Sequence, residues 1–120
     1  MKHSEGFLKL VDDAKSRVRE VTVAETQART QQNAKLIDVR EDNEWEAGHA
    51  AGAIHLGKGI IERDIETTVP EKDAEMILYC GGGYRSALAA DVLQKMGYTN
   101  VFSMAGGWKA WKESGAEIEK

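Results

Sequence analysis

From Ala74 to Gly97 the chain reads AEMILYCGGGYRSALAADVLQKMG. A short apolar run ends at Cys80 and three glycines follow. Beyond them Ala87, Leu88, Val92, Leu93 and Met96 recur at helical spacing until Gly97 stops the pattern. An unbroken apolar run of this length suits a strand buried on both faces, as in a parallel sheet. The segment therefore reads as a strand over 74–80, a tight turn, and a helix that begins near Ser86 or Ala87.

The rest of the chain repeats this alternation. Phe7, Leu10, Val11, Ala14 and Val18 predict an amphipathic helix over 5–19, and REVTV (19–23) a short strand. Thr22 with Glu25 three residues on forms a capping box that opens a helix ending near Thr30. KLIDV (35–39), AGAIHLG (51–57) and NVFSM (100–104) read as strands. EDNEWEAG (41–48) reads as one or two helical turns closed by Gly48, residues 60–66 as a helix, and GGWKAWKESG (106–115) as a closing helix. Strands alternating with helices predict an α/β fold with a mostly parallel sheet. With 120 residues and no internal repeat or low-complexity linker, one domain is expected. Its parts are an N-terminal helical segment (1–20), the main body (21–114) and a C-terminal tail (115–120).

Composition removes several functions. The net charge is −4 with both signs interleaved, and no basic stripe suggests nucleic acid binding. A single cysteine excludes an internal disulfide and any cysteine-rich zinc site. His3, His49 and His55 lack metal-ligand spacing, so no metal is expected. The N-terminus is charged throughout, unlike a secretory signal, and no apolar run nears the ~20 residues that span a bilayer. A cytoplasmic setting is expected, where a lone thiol stays reduced and available.

Cys80 stands at the carboxyl end of its predicted strand, where α/β sheets bind ligands. The first amides of the following helix have no intrahelical acceptor, and the helix dipole adds partial positive charge. Gly81, Gly82 and Gly83 can take positive φ and aim successive N–H groups inward as an anion nest. Arg85 adds a guanidinium. In such a field the amides and guanidinium are expected to favour the thiolate, the nucleophilic form of a cysteine. The plainer alternatives are a small buried hydrophobe or a phosphate loop. GGGYRS lacks the Gly-Lys-Ser/Thr ending of a P-loop and is too short for a dinucleotide fingerprint.

CGGGYRS resembles the Cys-x-x-Gly-x-Arg-Ser/Thr loop of the rhodanese-like sulfurtransferases. LIDVREDNEWEAGHAAGAIHL (36–56) is similar to that family's first signature, and GYTNVFSMAGGWKAW (97–111) to its C-terminal one. The resemblance runs from about Val21 to Trp111. It implies a single rhodanese-like domain of thiosulfate sulfurtransferase type, with a central, mostly parallel five-stranded sheet flanked by helices on both faces. It also implies that Cys80 takes up sulfane sulfur as a persulfide and passes it to an acceptor, without a metal or organic cofactor. Gly81, Gly82, Gly83, Tyr84, Arg85 and Ser86 would bind the substrate, and Arg85 would orient an anionic donor or brace the loop. In supporting roles, Asp38 would hold the loop, Arg40 would pair with Glu44, and His49 would be either a structural hydrogen bonder or a dyad partner of Cys80. Trp108 and Trp111 would serve as core or lid.

The implied partners are a small anionic sulfur donor and a thiol or protein acceptor, with the chain as monomer or homodimer. The sequence departs from the common pattern at Ala50 and Ala51, which replace an Ile/Val-Pro pair, and at GKGIIERD (57–64), where a proline is common. Lys58 and Arg63 could lend charge to the site entrance. Two other readings stand open. One is a non-catalytic or sulfide- or redox-sensing module. The other is a cysteine phosphatase, whose loop has five residues between Cys and Arg and a His before the Cys, against four residues and Tyr79 here.

Overall fold

The apolar runs at the centre of the chain's fold become strands with water on neither side. In the computed structural model, which describes residues 3–120, β1 (Arg19–Val21), β2 (Lys35–Asp38), β4 (Ile54–His55), β5 (Met76–Tyr79) and β6 (Val101–Met104) form one sheet. Its order is β1-β6-β5-β2-β4, with every pair parallel. The central strands β5 and β6 are buried at every position, whereas the edge strands β1 and β4 are partly open. Met1 and Lys2, part of the N-terminal segment expected over 1–20, lie outside the described residues.

Side chains alternate across β5, so its two faces feed two cores. Met76, Leu78 and Cys80 pack with Ile61, Ile65, Ala89 and Leu93, which come from α4 (Ile61–Thr68) and α5 (Tyr84–Lys95). Ile77 and Tyr79 pack on the other face with Val23 and Trp111, from α2 (Val23–Thr30) and α6 (Gly107–Glu113). Helices thus cover both faces of a five-stranded parallel sheet. Among the described residues no helix is long and apolar enough to cross a membrane.

Element ends differ from the sequence reading for local reasons. The strand expected over 19–23 stops at Val21 because Thr22 caps α2: its Oγ1 accepts the Glu25 N–H at 3.1 Å, and Glu25 Oε1 accepts the Thr22 N–H at 2.9 Å. Only Ile54–His55 of the run 51–57 joins the sheet. His49–Ala50 (β3) instead pairs antiparallel with Ile118–Glu119 (β7), so the expected C-terminal tail ends in a strand. Helix α5 begins at Tyr84, two to three residues before the start expected near Ser86 or Ala87, whereas α3 (Asp42–Ala47) is the one or two helical turns expected over 41–48, closed by Gly48.

Helix α1 (Glu5–Lys15) lies against α5. Its buried Val11 and Ala14 supply the apolar contact, where a fully buried valine contributes about 1.5–3 kcal/mol. Arg17, just beyond the helix, donates Nε and Nη2 to the Asp91 carboxylate at 2.9 and 2.8 Å and reaches Asp13 as well. These Arg17 hydrogen bonds hold the Asp91 carboxyl below the usual carboxylate range, and the charges of Arg17 and Lys95 add to the effect.

Candidate active site

Cys80 follows β5 directly and is 1% exposed. The chain turns through Gly81 and Gly82 to Gly83, which caps α5 at φ +100°, a conformation that favours glycine. There the Gly83 N–H donates to Cys80 Sγ at 3.1 Å. The start of α6 backs the loop. Trp108 N–H donates to the Cys80 carbonyl at 2.7 Å and Lys109 N–H to the Gly81 carbonyl at 3.2 Å. Gly107, at φ +54°, makes this approach possible, since a Cβ there would overlap the Cys80 carbonyl oxygen. In a planar trans peptide the N–H points opposite to the C=O. Tying those two carbonyls to α6 therefore turns the Gly81 and Gly82 N–H groups to the opposite side. The amides of Tyr84, Arg85 and Ser86 open α5 and have no intrahelical acceptor.

Beneath the sulfur lies a buried hydroxyl chain. Cys80 Sγ is 3.5 Å from Ser86 Oγ, and Ser86 Oγ is 2.8 Å from Ser103 Oγ. Hydroxyl hydrogens rotate, so Ser86 can accept from a thiol or donate to a thiolate while Ser103 completes its second bond. The sequence reading missed Ser103; its signal was a lone hydroxyl within the apolar strand VFSM.

Arg85 does not stand free. Its Nη1 and Nη2 donate to Glu44 Oε1 and Oε2 at 3.2 and 3.4 Å, so the guanidinium braces the loop to α3. Burial disfavours the Arg85 charge, but the Glu44 hydrogen bonds and the fields of Glu44 and Cys80 raise its pKa above the ordinary value. Burial likewise works against ionised Glu44, and hydrogen bonds from Arg85 and the Glu41 backbone reverse the balance and lower its pKa. Glu44 was expected to pair with Arg40. Arg40 instead bonds Asp38, with Nη2 2.8 Å from Oδ2, and donates the same Nη2 to the Gly48 carbonyl at 2.7 Å.

Asp38 and Arg40 form a buried structural knot. The Asp38 carboxylate also accepts from the Tyr79 hydroxyl at 2.7 Å, which in turn accepts the Ala50 N–H at 3.0 Å. Burial, reinforced by the Asp38 carboxylate, pushes the Tyr79 hydroxyl well above its usual pKa. Asp38 thus fixes the end of β2 and the residue preceding Cys80 and does not bond the loop itself. His49 stacks on Trp45 with ring centroids 3.4 Å apart and places Nδ1 2.9 Å from the Trp45 carbonyl. Cys80 bonds Gly83 and Ser86, so the structure does not join Cys80 and His49 in a dyad. Trp111 is buried, and Trp108 lies over Arg40 at 4.6 Å; both are packing residues. Arg63 is engaged by its neighbour Asp64 at 2.7 Å, and neither it nor Lys58 lines the cleft above the thiol.

That cleft has a volume of about 920 Å³. Cys80, Gly81, Gly82, Tyr84 and Arg85 form its base, Glu44 one side, and His3, Ser4 and Phe7 at the start of α1 the other. His3 packs edge-on against Tyr84 at 4.6 Å and Phe7 packs edge-on against it at 6.3 Å. The amphipathic pattern of α1 announced a covered face but carried no signal that its end would wall the site.

Residues 22–114 match the family described as rhodanese-like domain. The uncharacterized protein YqhL of Bacillus subtilis is 40% identical over 81 residues, which are 65% of this chain and 60% of that relative's length. A solved structure of a protein of unknown function and possible tyrosine phosphatase, from Rhodopseudomonas palustris, is similar with a TM-score of 0.87 and 30% identity. It covers 99% of this chain and 98% of its own. The thiosulfate sulfurtransferase of Pseudomonas aeruginosa is similar with a TM-score of 0.78 and 27% identity, over 86% of this chain and 20% of that one.

Proposed function

This chain belongs to the rhodanese-like domain family, and on that premise we propose that it is a sulfurtransferase working through a Cys80 persulfide. One observation carries the reading: a buried cysteine sulfur at a strand end accepts the Gly83 amide at 3.1 Å, inside a loop that places Arg85 after four intervening residues. The Cys80 thiolate attacks the outer sulfur of a donor such as thiosulfate. A Cys80–sulfur bond forms, the donor's S–S bond breaks, and sulfite leaves with the electron pair. A thiol or cyanide then attacks the outer sulfur of the persulfide and returns Cys80 to thiolate. Splitting the transfer in two is nucleophilic covalent catalysis. Every charged species in the cycle meets the same amides, which stabilise developing negative charge at no reorganisation cost.

The description of the Rhodopseudomonas palustris protein raises a phosphatase as the second reading. The loop argues against it. Four residues separate Cys80 from Arg85, one fewer than in a cysteine phosphatase loop, and the guanidinium is already bonded to Glu44, so the loop is tighter and its cation committed. Intact-mass measurement after thiosulfate or polysulfide treatment is the test. A gain of one sulfur atom, absent in Cys80→Ser and lost on cyanide addition with thiocyanate release, is the expected result. Cys80-dependent hydrolysis of p-nitrophenyl phosphate without sulfur uptake would overturn the reading.

A further inference from the structure

The family match begins at residue 22, so α1 lies outside it, yet α1 supplies one wall of the cleft. We propose that α1 is a substrate-selecting element: Phe7, with Tyr84, recognises the organic, preferably aromatic, body of the molecule that carries the sulfane sulfur. This deepens the sulfurtransferase reading and rests on it.

Three observations converge on that class of carrier. The cleft, about 920 Å³, has the volume of a site for a drug-sized ligand and far exceeds the needs of a small inorganic anion. Its charge is already balanced: among the described lining residues Arg85 is the only lysine or arginine, and Glu44 holds it. A dianion such as thiosulfate would find loop amides there but no uncommitted lysine or arginine among the described lining residues, and Lys15, whose Nζ lies 5.2 Å over the Tyr84 ring, is paired with Glu20 at 3.6 Å. The loop itself presents one side chain between Cys80 and Arg85, that of Tyr84, and it faces Phe7 and His3 in edge-on contact. Edge-to-face rings leave a partner surface on which an aromatic group can add a further contact. The sulfur end of a carrier would then lie on the amides beside Cys80, with its body against the ring pair.

The chemistry balances without an added reductant or oxidant. With an organic thiosulfonate, R–SO2–S⁻, the Cys80 thiolate attacks the terminal sulfur, the S–S bond breaks, and the sulfinate R–SO2⁻ departs with the electron pair.

Benzenethiosulfonate and methanethiosulfonate carry the same reacting group and charge and differ in the body, so they test the wall directly. Persulfide formation or thiocyanate release is followed for the full chain and for Phe7→Ala, Phe7→Tyr and the exposed control Leu10→Ala. The wild type is expected to prefer the benzene donor in kcat/KM by about tenfold, the factor given by one aromatic contact near 1.4 kcal/mol. Phe7→Ala should lower the rate with the benzene donor about tenfold more than the rate with the methyl donor and so abolish the preference, Phe7→Tyr should restore it, and the exposed Leu10→Ala should leave both rates unchanged. Helix docking survives in Phe7→Ala because Val11, Ala14 and the Arg17–Asp91 pair hold it, which circular dichroism and thermal unfolding verify. Equal rates with both donors in the wild type, or an equal loss with both in Phe7→Ala, overturns the inference and leaves the sulfurtransferase reading intact. Failure of both donors and of polysulfide to load Cys80 overturns the two together.

Discussion

Replacing Glu44 by glutamine removes one charge from the active cleft and little else. Glutamine keeps the oxygen that accepts the Glu41 N–H at 3.0 Å, so the capping box of α3 survives. What changes is the partner of Arg85, bonded at 3.2 and 3.4 Å in the native protein. At about 4 Å in a partly exposed site, two unit charges interact by roughly 4 kcal/mol at an effective dielectric of 20. Both side chains are about one-third exposed, so screening and competing water cut the usable part to about 1 kcal/mol. Released from Glu44, the guanidinium can offer that amount to a dianionic donor, which corresponds to a KM for thiosulfate lower by about fivefold. Steady-state thiocyanate release in Glu44→Gln is the assay.

The same pair sets a pH signature. Glu44 has a lowered folded pKa, so its ion pair is complete above the ordinary glutamate value of about 4.3 and is lost as pH falls through the folded value. In the wild type KM for thiosulfate is therefore flat across neutral pH, and in Glu44→Gln it is flat at a lower level. If KM instead rises while Cys80 still accepts sulfur, Arg85 depends on Glu44 for its position, and the reasoning that treats Glu44 as a competitor is refuted.

Gly107→Ala forces a side chain onto the Cys80 carbonyl at a positive φ that costs about 1–3 kcal/mol by itself, so the melting temperature should fall by several degrees and sulfur loading should slow, both read on the purified variant. Asp91, whose folded pKa is lowered by Arg17, stabilises α1 docking fully above about pH 5, and the contribution is lost as pH falls below the unfolded value of about 3.9; amide exchange in residues 5–15 should accelerate over that window before exchange in β5 does, and Asp91→Asn should remove the pH step.

The local half of this site was legible in the sequence, and the tertiary half was not. A strand ending at Cys80, glycines that permit a left-handed cap, and a helix beyond them are consequences of neighbouring residues, and the structure has all three. Even the two-residue error at the start of α5 is local: Tyr84 and Arg85 occupy the first turn facing the cleft, so they could not contribute to the apolar periodicity that marks the helix. The charge balance was misread because spacing suggested the wrong pairs. Arg40 and Glu44, four apart, looked like partners, but Arg40 folds back on Asp38 while Glu44 reaches a guanidinium 41 residues further along. No local pattern encodes that exchange, and it decides whether the cleft presents a free cation. The same holds for α1, whose periodicity shows that a face is covered without showing by what. Conformation of the Cys80 loop follows from composition at short range, whereas the lining and charge balance of the cleft above it depend on contacts that only the closed fold creates.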